Sequence, residues 1–239
     1  MRLARAGVLP SMLTGVVLTH LHSDHVCDLN DVITTHWVMN PDVTPLHVFG
    51  PVGTASFVTA TLEALAIDVG YRLGHHADLT QGPLVEVTEL TPATIFELGD
   101  LTVRTGATDH RPVEPSLGYR VTHADQSAVI AGDGVPCATL DELLRGATAY
   151  VQTVVREDLV RSIPSARLQD ILDYHSSVQQ AAATAQRAGV KALVLTHMVP
   201  APFPGTEGEW RALASAFEGN IVLGDDMITL DLDTMDVTP

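Results

Sequence analysis

A layered α/β domain, two sheets face to face with helices on the outside, is the fold class this sequence predicts. Three observations carry that prediction. Strand-like apolar runs come early, return after a helix, and later alternate with helices, which fits neither an all-β chain nor a strict βαβ series. Four of these runs lead into His or Asp residues, as expected of a site built along one rim of a sandwich. No repeat at a solenoid period and no low-complexity linker interrupts the chain, so residues 1–239 read as a single domain large enough to bury a full core.

The elements follow in order. Gly15-Val16-Val17-Leu18 is a short apolar run bounded like a buried strand, and Val26 to Met39 carries Val26, Leu29, Val32, Ile33 and Trp37 at roughly helical spacing. Leu46 to Gly50 reads as a strand and Gly53 to Ala66 as a helix with Phe57, Leu62 and Leu65 on its apolar side. Short alternating runs occupy Leu84 to Leu90, Thr94 to Leu98, Leu101 to Ala107, Gly118 to Thr122 and Ser127 to Ala131, with Gly99-Asp100 placed as a tight hairpin turn. Pro136 to Gly146 reads as a helix, Tyr150 to Val155 as a β-branched strand, and Ser176 to Ala188 as an Ala-rich helix capped by Ser176 and stopped by Gly189. Val190 to Leu195 is a buried strand leading into Thr196-His197, and Pro200 to Gly205 is the most loop-like stretch of the chain. A helix around Glu209 to Phe217 and strands at Ile221 to Leu223 and Met227 to Leu232 close it.

Composition excludes several function classes. Apolar residues at 46% and charged residues at 18% describe a globular protein, and no run reaches the roughly 18 apolar residues of a membrane span. The basic start, Met1 to Gly7, lacks the apolar core of a signal peptide. Cys27 and Cys137 make no disulfide framework, so they read as small buried side chains in a cytoplasmic protein. A net charge of −16, with Lys191 the only lysine, repels polyanions and excludes broad non-specific nucleic-acid binding. Arg111, Arg120, Arg156, Arg161 and Arg167 could form a local basic strip, but they read more simply as scattered surface arginines.

The chemistry concentrates in Thr19-His20-Leu21-His22-Ser23-Asp24-His25, on a strand-to-helix turn. His20 and His22 leave the strand end on one side because strand side chains alternate with period two, and Asp24 and His25 turn with the chain. Imidazole nitrogen and carboxylate oxygen are what divalent zinc takes when no thiolate is offered. One turn cannot furnish two ions, so further ligands are expected at other strand ends, at Asp109-His110, Asp133 and His197. His36, His47, His75, His76 and His123 have no partner spacing and read as structural or surface residues.

Taken together, the His-rich motif, His110, Gly132-Asp133 and Thr196-His197 resemble the metallo-β-lactamase fold, an αββα four-layer sandwich. Within it the chain is similar to the ribonuclease Z group, in its short actinobacterial form, and to that group's arylsulfatase-like relatives. Tyr174-His175-Ser176-Ser177-Val178, the Ala-rich helix after it, Asp109-His110 leading to Gly118-Tyr119-Arg120, and the terminal Gly224-Asp225-Asp226-Met227 carry this closer likeness. The resemblance implies two zinc ions, with manganese as a substitute: His20, His22 and His110 on one, Asp24, His25 and His197 on the other, and Asp133 bridging both with a hydroxide between them. It also implies that Asp24 orients the hydroxide or takes its proton, that His175 lies outside the ligands as a proton donor, and that the enzyme is a homodimer.

Two departures shape the functional expectation. The group opens with a strand, a Gly-rich loop and a second strand before the His-rich motif, whereas Met1 here falls in what reads as the helix after them. The expectation is therefore a sandwich lacking its first strands, with an open sheet edge and less support around the metals. Long-armed members also carry a Gly/Pro-rich insertion that grips the tRNA elbow; only Arg111 to Gly132 separates His110 from Asp133, and Ser23 replaces the glycine commonest in those members. Three readings follow: a zinc phosphodiesterase trimming the 3′ ends of precursor tRNA, the same centre acting on sulfate esters or small phosphodiesters, and an inactive metal-binding protein.

Overall fold

The computed structural model describes residues 2–238. Their contacts divide the chain into two compact units that meet in sequence between Leu90 and Thr91.

The first unit holds helix α1 (Arg2–Arg5), strand β1 (Gly15–Val17), helices α2 (Ser23–Val26) and α3 (Leu29–Met39), strand β2 (Leu46–Pro51), helix α4 (Thr54–His75) and strand β3 (Val85–Leu90). Its sheet is parallel throughout in the order β1-β2-β3. Leu18, Val26, Leu29, Ile33, Leu46, Val48 and Val58 form its core. The helix expected over Val26–Met39 is two, because the chain starts turning at Ser23 and then breaks at Cys27-Asp28. That early start puts Asp24 and His25 on helix rather than loop. Cys27 lies exposed in the break, not buried as expected. Helix α4 overruns its expected end at Ala66 by nine residues, to His75. Gly70 and Gly74 cost only about 1 kcal/mol each in an established helix. An Asp68–Arg72 ion pair at 2.8 Å spans the first of these glycines.

The second unit holds strands β4 (Ile95–Leu98), β5 (Leu101–Ala107), β6 (Leu117–His123), β7 (Gln126–Ile130), β8 (Ala149–Val155), β9 (Ala192–Val199) and β10 (Asn220–Leu223), with β11 (Thr229–Leu230) pairing β12 (Val237–Thr238). Helices α5 (Ala138–Leu144), α6 (Glu157–Arg161), α7 (Ala166–Gln169), α8 (Val178–Ala188) and α9 (Glu207–Leu213) complete it. The seven-stranded sheet runs β10-β9-β8-β7-β6-β5-β4. β4 to β7 form an antiparallel meander, and β7 to β10 are parallel. Strands β5, β7, β8 and β9 consequently point the same way, and their carboxyl ends lie along one edge.

Helix α8 shows why the Ala-rich segment folds as it does. Val178, Ala181, Ala182 and Ala185 recur at helical spacing and are fully buried in the unit's core. Its N-cap is Ser177, not Ser176: Ser177 Oγ accepts from Gln180 N while Gln180 Oε1 accepts from Ser177 N, a reciprocal box that a cap at Ser176 could not close. Ser176 instead donates to the Gly134 carbonyl at 2.8 Å. Short helices α6 and α7 and the helical turn Asp170–Asp173 have no counterpart in the sequence expectations. Each is four or five residues long, too short for periodicity to register. Arg156, expected on the surface, is buried: it bonds Asp158 at 2.7 and 2.8 Å and Glu209 at 3.0 Å and lies over the Trp210 ring.

Candidate metal centre

In the first unit the donors gather at the carboxyl end of β1. His20 is buried, and Thr19 Oγ1 lies 3.1 Å from its Nδ1. His20 Nε2 faces His22 Nδ1 at 3.2 Å. His22 keeps extended backbone as the residue before α2, and the helix then lifts Asp24 and His25 toward the same place. The His20 and His25 rings are 4.2 Å apart, and Asp24 Oδ2 is 3.5 Å from His25 Nε2. All four donors foreseen in the His-rich motif thus converge locally.

In the second unit the donors leave the common edge of β5, β7 and β9. His110 follows β5 and is fully buried. Its Nδ1 lies 2.9 Å from the Tyr174 carbonyl, which can accept only from an Nδ1–H and so leaves Nε2 as the lone-pair nitrogen. That Nε2 is 3.9 Å from Asp133 Oδ2. Asp133 sits between Gly132, at φ +68°, and Gly134, at φ +148°. A Cβ on Gly134 would come within 2.8 Å of the Asp109 carbonyl oxygen, so the turn requires glycine by close approach as well as by conformation. Gln152 Nε2 and Thr153 Oγ1 each donate to the Gly132 carbonyl at 3.1 Å, and Tyr150 OH donates to Gln152 Oε1. This buried clamp on the Asp133 turn had no signal in the sequence, where Gln152 and Thr153 read only as strand residues.

His175 lies beside Asp133. Its Nδ1 is 3.0 Å from the Ile171 carbonyl and its Nε2 is 3.1 Å from Asp133 Oδ2. Both ring nitrogens face acceptors, so whichever of them carries a proton has a partner. His197 is exposed and stacks 6.3 Å from the His175 ring. It does not follow β9 but lies within it, in a bulge: Thr153 pairs Thr196, while Val155 pairs Val199. The extra residue re-aims the strand, and His197 takes φ +45°, which costs a non-glycine residue about 1–2 kcal/mol. Sequence reasoning placed the residue but could not foresee the bulge.

The donor chemistry fits a divalent metal. Two ligands at 2.0–2.1 Å from a tetrahedral ion stand about 3.3 Å apart, close to the His20–His22 and Asp24–His25 separations of 3.2 and 3.5 Å. The other histidines take no part in such a group among the described residues. His36 is buried with its pKa lowered by desolvation, His47 pairs Glu86, His123 pairs Asp100, and His75 packs against His76.

Residues 4–198 match the family described as the Beta-lactamase superfamily domain. Ribonuclease Z of Mycobacterium avium is 54% identical over 235 residues, covering 97% of this chain and 84% of that protein. The chain belongs to the ribonuclease Z family. Ribonuclease Z of Mycobacterium marinum is 53% identical over 95% of this chain and 82% of its own length. Among solved structures, the short form of human tRNase Z aligns with a TM-score of 0.63 at 22% identity, covering 99% of this chain and 83% of that one. The metallo-beta-lactamase fold protein YhfI from Bacillus subtilis aligns at 0.66 with 18% identity, covering 93% and 79%. These two likenesses establish the metallo-β-lactamase fold class expected from the sequence. Among the described residues, no helix is long and apolar enough to cross a membrane.

Proposed function

We propose that this chain is a zinc-dependent endoribonuclease of ribonuclease Z type that cleaves precursor tRNA at its 3′ side, with both units acting as one catalytic domain. The observation that carries the reading is the 54% identity to a ribonuclease Z across 97% of the chain. The donor chemistry supports it. In this reading, which the likeness to ribonuclease Z implies, His20, His22 and His110 would hold one ion, Asp24, His25 and His197 would hold the other, and Asp133 would serve both. Bound zinc supplies a strong nucleophile from water at neutral pH and charge to hold the phosphoryl oxygens.

The chain's own residues do the rest. The Tyr174 carbonyl fixes the His110 tautomer, so this ligand is ready without reorganisation. Asp24, exposed on the first turn of α2, would orient the attacking water or take its proton. His175, held at Nδ1 by the Ile171 carbonyl and at Nε2 by Asp133, would serve as the proton donor to the leaving oxygen. A second reading, hydrolysis of sulfate esters or small phosphodiesters at the same centre, is favoured by the short span between His110 and Asp133, where the chain builds only β6 and β7.

Zinc-loaded protein incubated separately with a precursor tRNA, a bis-aryl phosphodiester and an aryl sulfate tests both. Cleavage of the tRNA at its 3′ side is expected; turnover of the sulfate alone would overturn the RNA reading. We place the enzyme in the cytoplasm, where the free thiols of Cys27 and Cys137 stay reduced, and read it as a homodimer, which sedimentation checks.

A further inference from the structure

We propose that Phe203 is a stacking platform for an unpaired nucleobase of the RNA substrate, an inference that rests on the ribonuclease reading above. Phe203 is 72% exposed, whereas Phe217, in the same unit, is 5% exposed within the core. It sits in the connection Pro200-Ala201-Pro202-Phe203-Pro204 between β9 and α9. An apolar ring on a floppy loop would fold down onto nearby apolar surface, but this loop is held. Prolines occupy alternate positions and fix φ. Both the amide and the hydroxyl of Thr206 donate to the Phe203 carbonyl, at 3.0 and 2.7 Å. At its start the Val199 carbonyl accepts from the Arg156 amide at 2.7 Å, and Arg156 is itself locked by Asp158, Glu209 and Trp210. The ring is therefore presented to solvent by a rigid backbone.

Position and charge say what it is for. Phe203 is six positions after His197, so its Cα lies at most about 20–22 Å from that of the proposed ligand. A chain with net charge −16 and only 13 Lys and Arg cannot hold a polyanion by its phosphates over a wide surface. Stacking on an aromatic face is the way to hold single-stranded RNA that needs no cation, because every base offers a π-face. The loop also lies just past residue 198, where the match to the wider superfamily ends, as fits a feature serving substrate choice rather than the shared metal chemistry.

The test compares zinc-loaded wild type with Phe203→Ala, Phe203→Leu and Phe203→Trp. The probes are an RNA hairpin with an unpaired 3′ tail, the same hairpin without a tail, and a bis-aryl phosphodiester. Dissociation constants and KM for the hairpins are measured, with 2-aminopurine in the tail reporting stacking by its quenching. Wild type should prefer the tailed hairpin. Phe203→Ala and Phe203→Leu should lose about 5- to 100-fold of that preference together with the quenching, and Phe203→Trp should keep both. Equal tail preference in wild type and Phe203→Ala overturns the proposal, as does a Leu variant that binds like wild type, since bare apolarity would then suffice. Loss of self-association in Phe203→Ala, with the tail preference intact, would assign the ring to a protein contact instead. The ribonuclease reading fails separately, if wild type turns over the small ester but neither binds nor cleaves RNA.

Discussion

Replacing Gly134 with alanine puts the architecture of the Asp133 turn to a quantitative test. The new Cβ would stand 2.8 Å from the Asp109 carbonyl oxygen and 3.3 Å from its carbon, at a residue with φ +148°. Neither side can yield cheaply. The Asp109 carbonyl accepts from the Val135 amide at 2.9 Å, the Gly134 carbonyl accepts from Ser176 at 2.8 Å, and the Gly132 carbonyl accepts from Gln152 and Thr153. Holding alanine in this backbone region costs about 1–3 kcal/mol, and the overlap about as much again. A total of about 2–6 kcal/mol lowers the melting temperature by roughly 4–24 °C in a protein of this size. Metal affinity should fall too, because Asp133 must move with the turn. The assay is a thermal melt of the metal-free protein together with zinc competition against a chelator. Gly146→Ala is the control: Gly146 has φ +71° but no atom near the added Cβ, so only the conformational part, about 1 kcal/mol, applies. If Gly134→Ala melts within about 2 °C of wild type with zinc affinity unchanged, the account of close approach is wrong.

Asp133→Ala should lose metal and activity together, as the one ligand assigned to both ions, measured by metal content after gel filtration. His175→Ala should keep its metal content and slow turnover by about 10²–10⁴-fold; loss of zinc instead would make His175 a ligand. His36 is buried with its pKa lowered by desolvation, so below the ordinary histidine value the unfolded chain takes up a proton that the folded chain refuses. Melting temperature should therefore decline as pH falls from about 6.5, and His36→Met should flatten that decline. The Asp158 carboxyl is held below its usual range by hydrogen bonds from Arg156, so its stabilisation is present above the ordinary carboxylate value and fades as pH drops through the lowered one. Asp158→Asn should shrink this acid-induced loss, by an amount that solvent screening of a half-exposed pair keeps small.

The sequence by itself pointed to the residues proposed to carry the chemistry. A His-rich turn after an apolar run, and three later runs ending on His or Asp, are local patterns, and local pattern is what a linear reading can see. It also gave strands β1 to β10 to within a few residues, because half-buried and buried strands write their burial into alternation and β-branching. Only the tertiary structure decided how those residues are held. The Tyr174 and Ile171 carbonyls that orient His110 and His175 are backbone groups with no residue-type signature. The Gln152–Thr153 clamp reaches across about 20 positions to Gly132. The bulge at His197 depends on how β9 pairs with β8, and register is a property of two strands together, which neither strand's sequence contains.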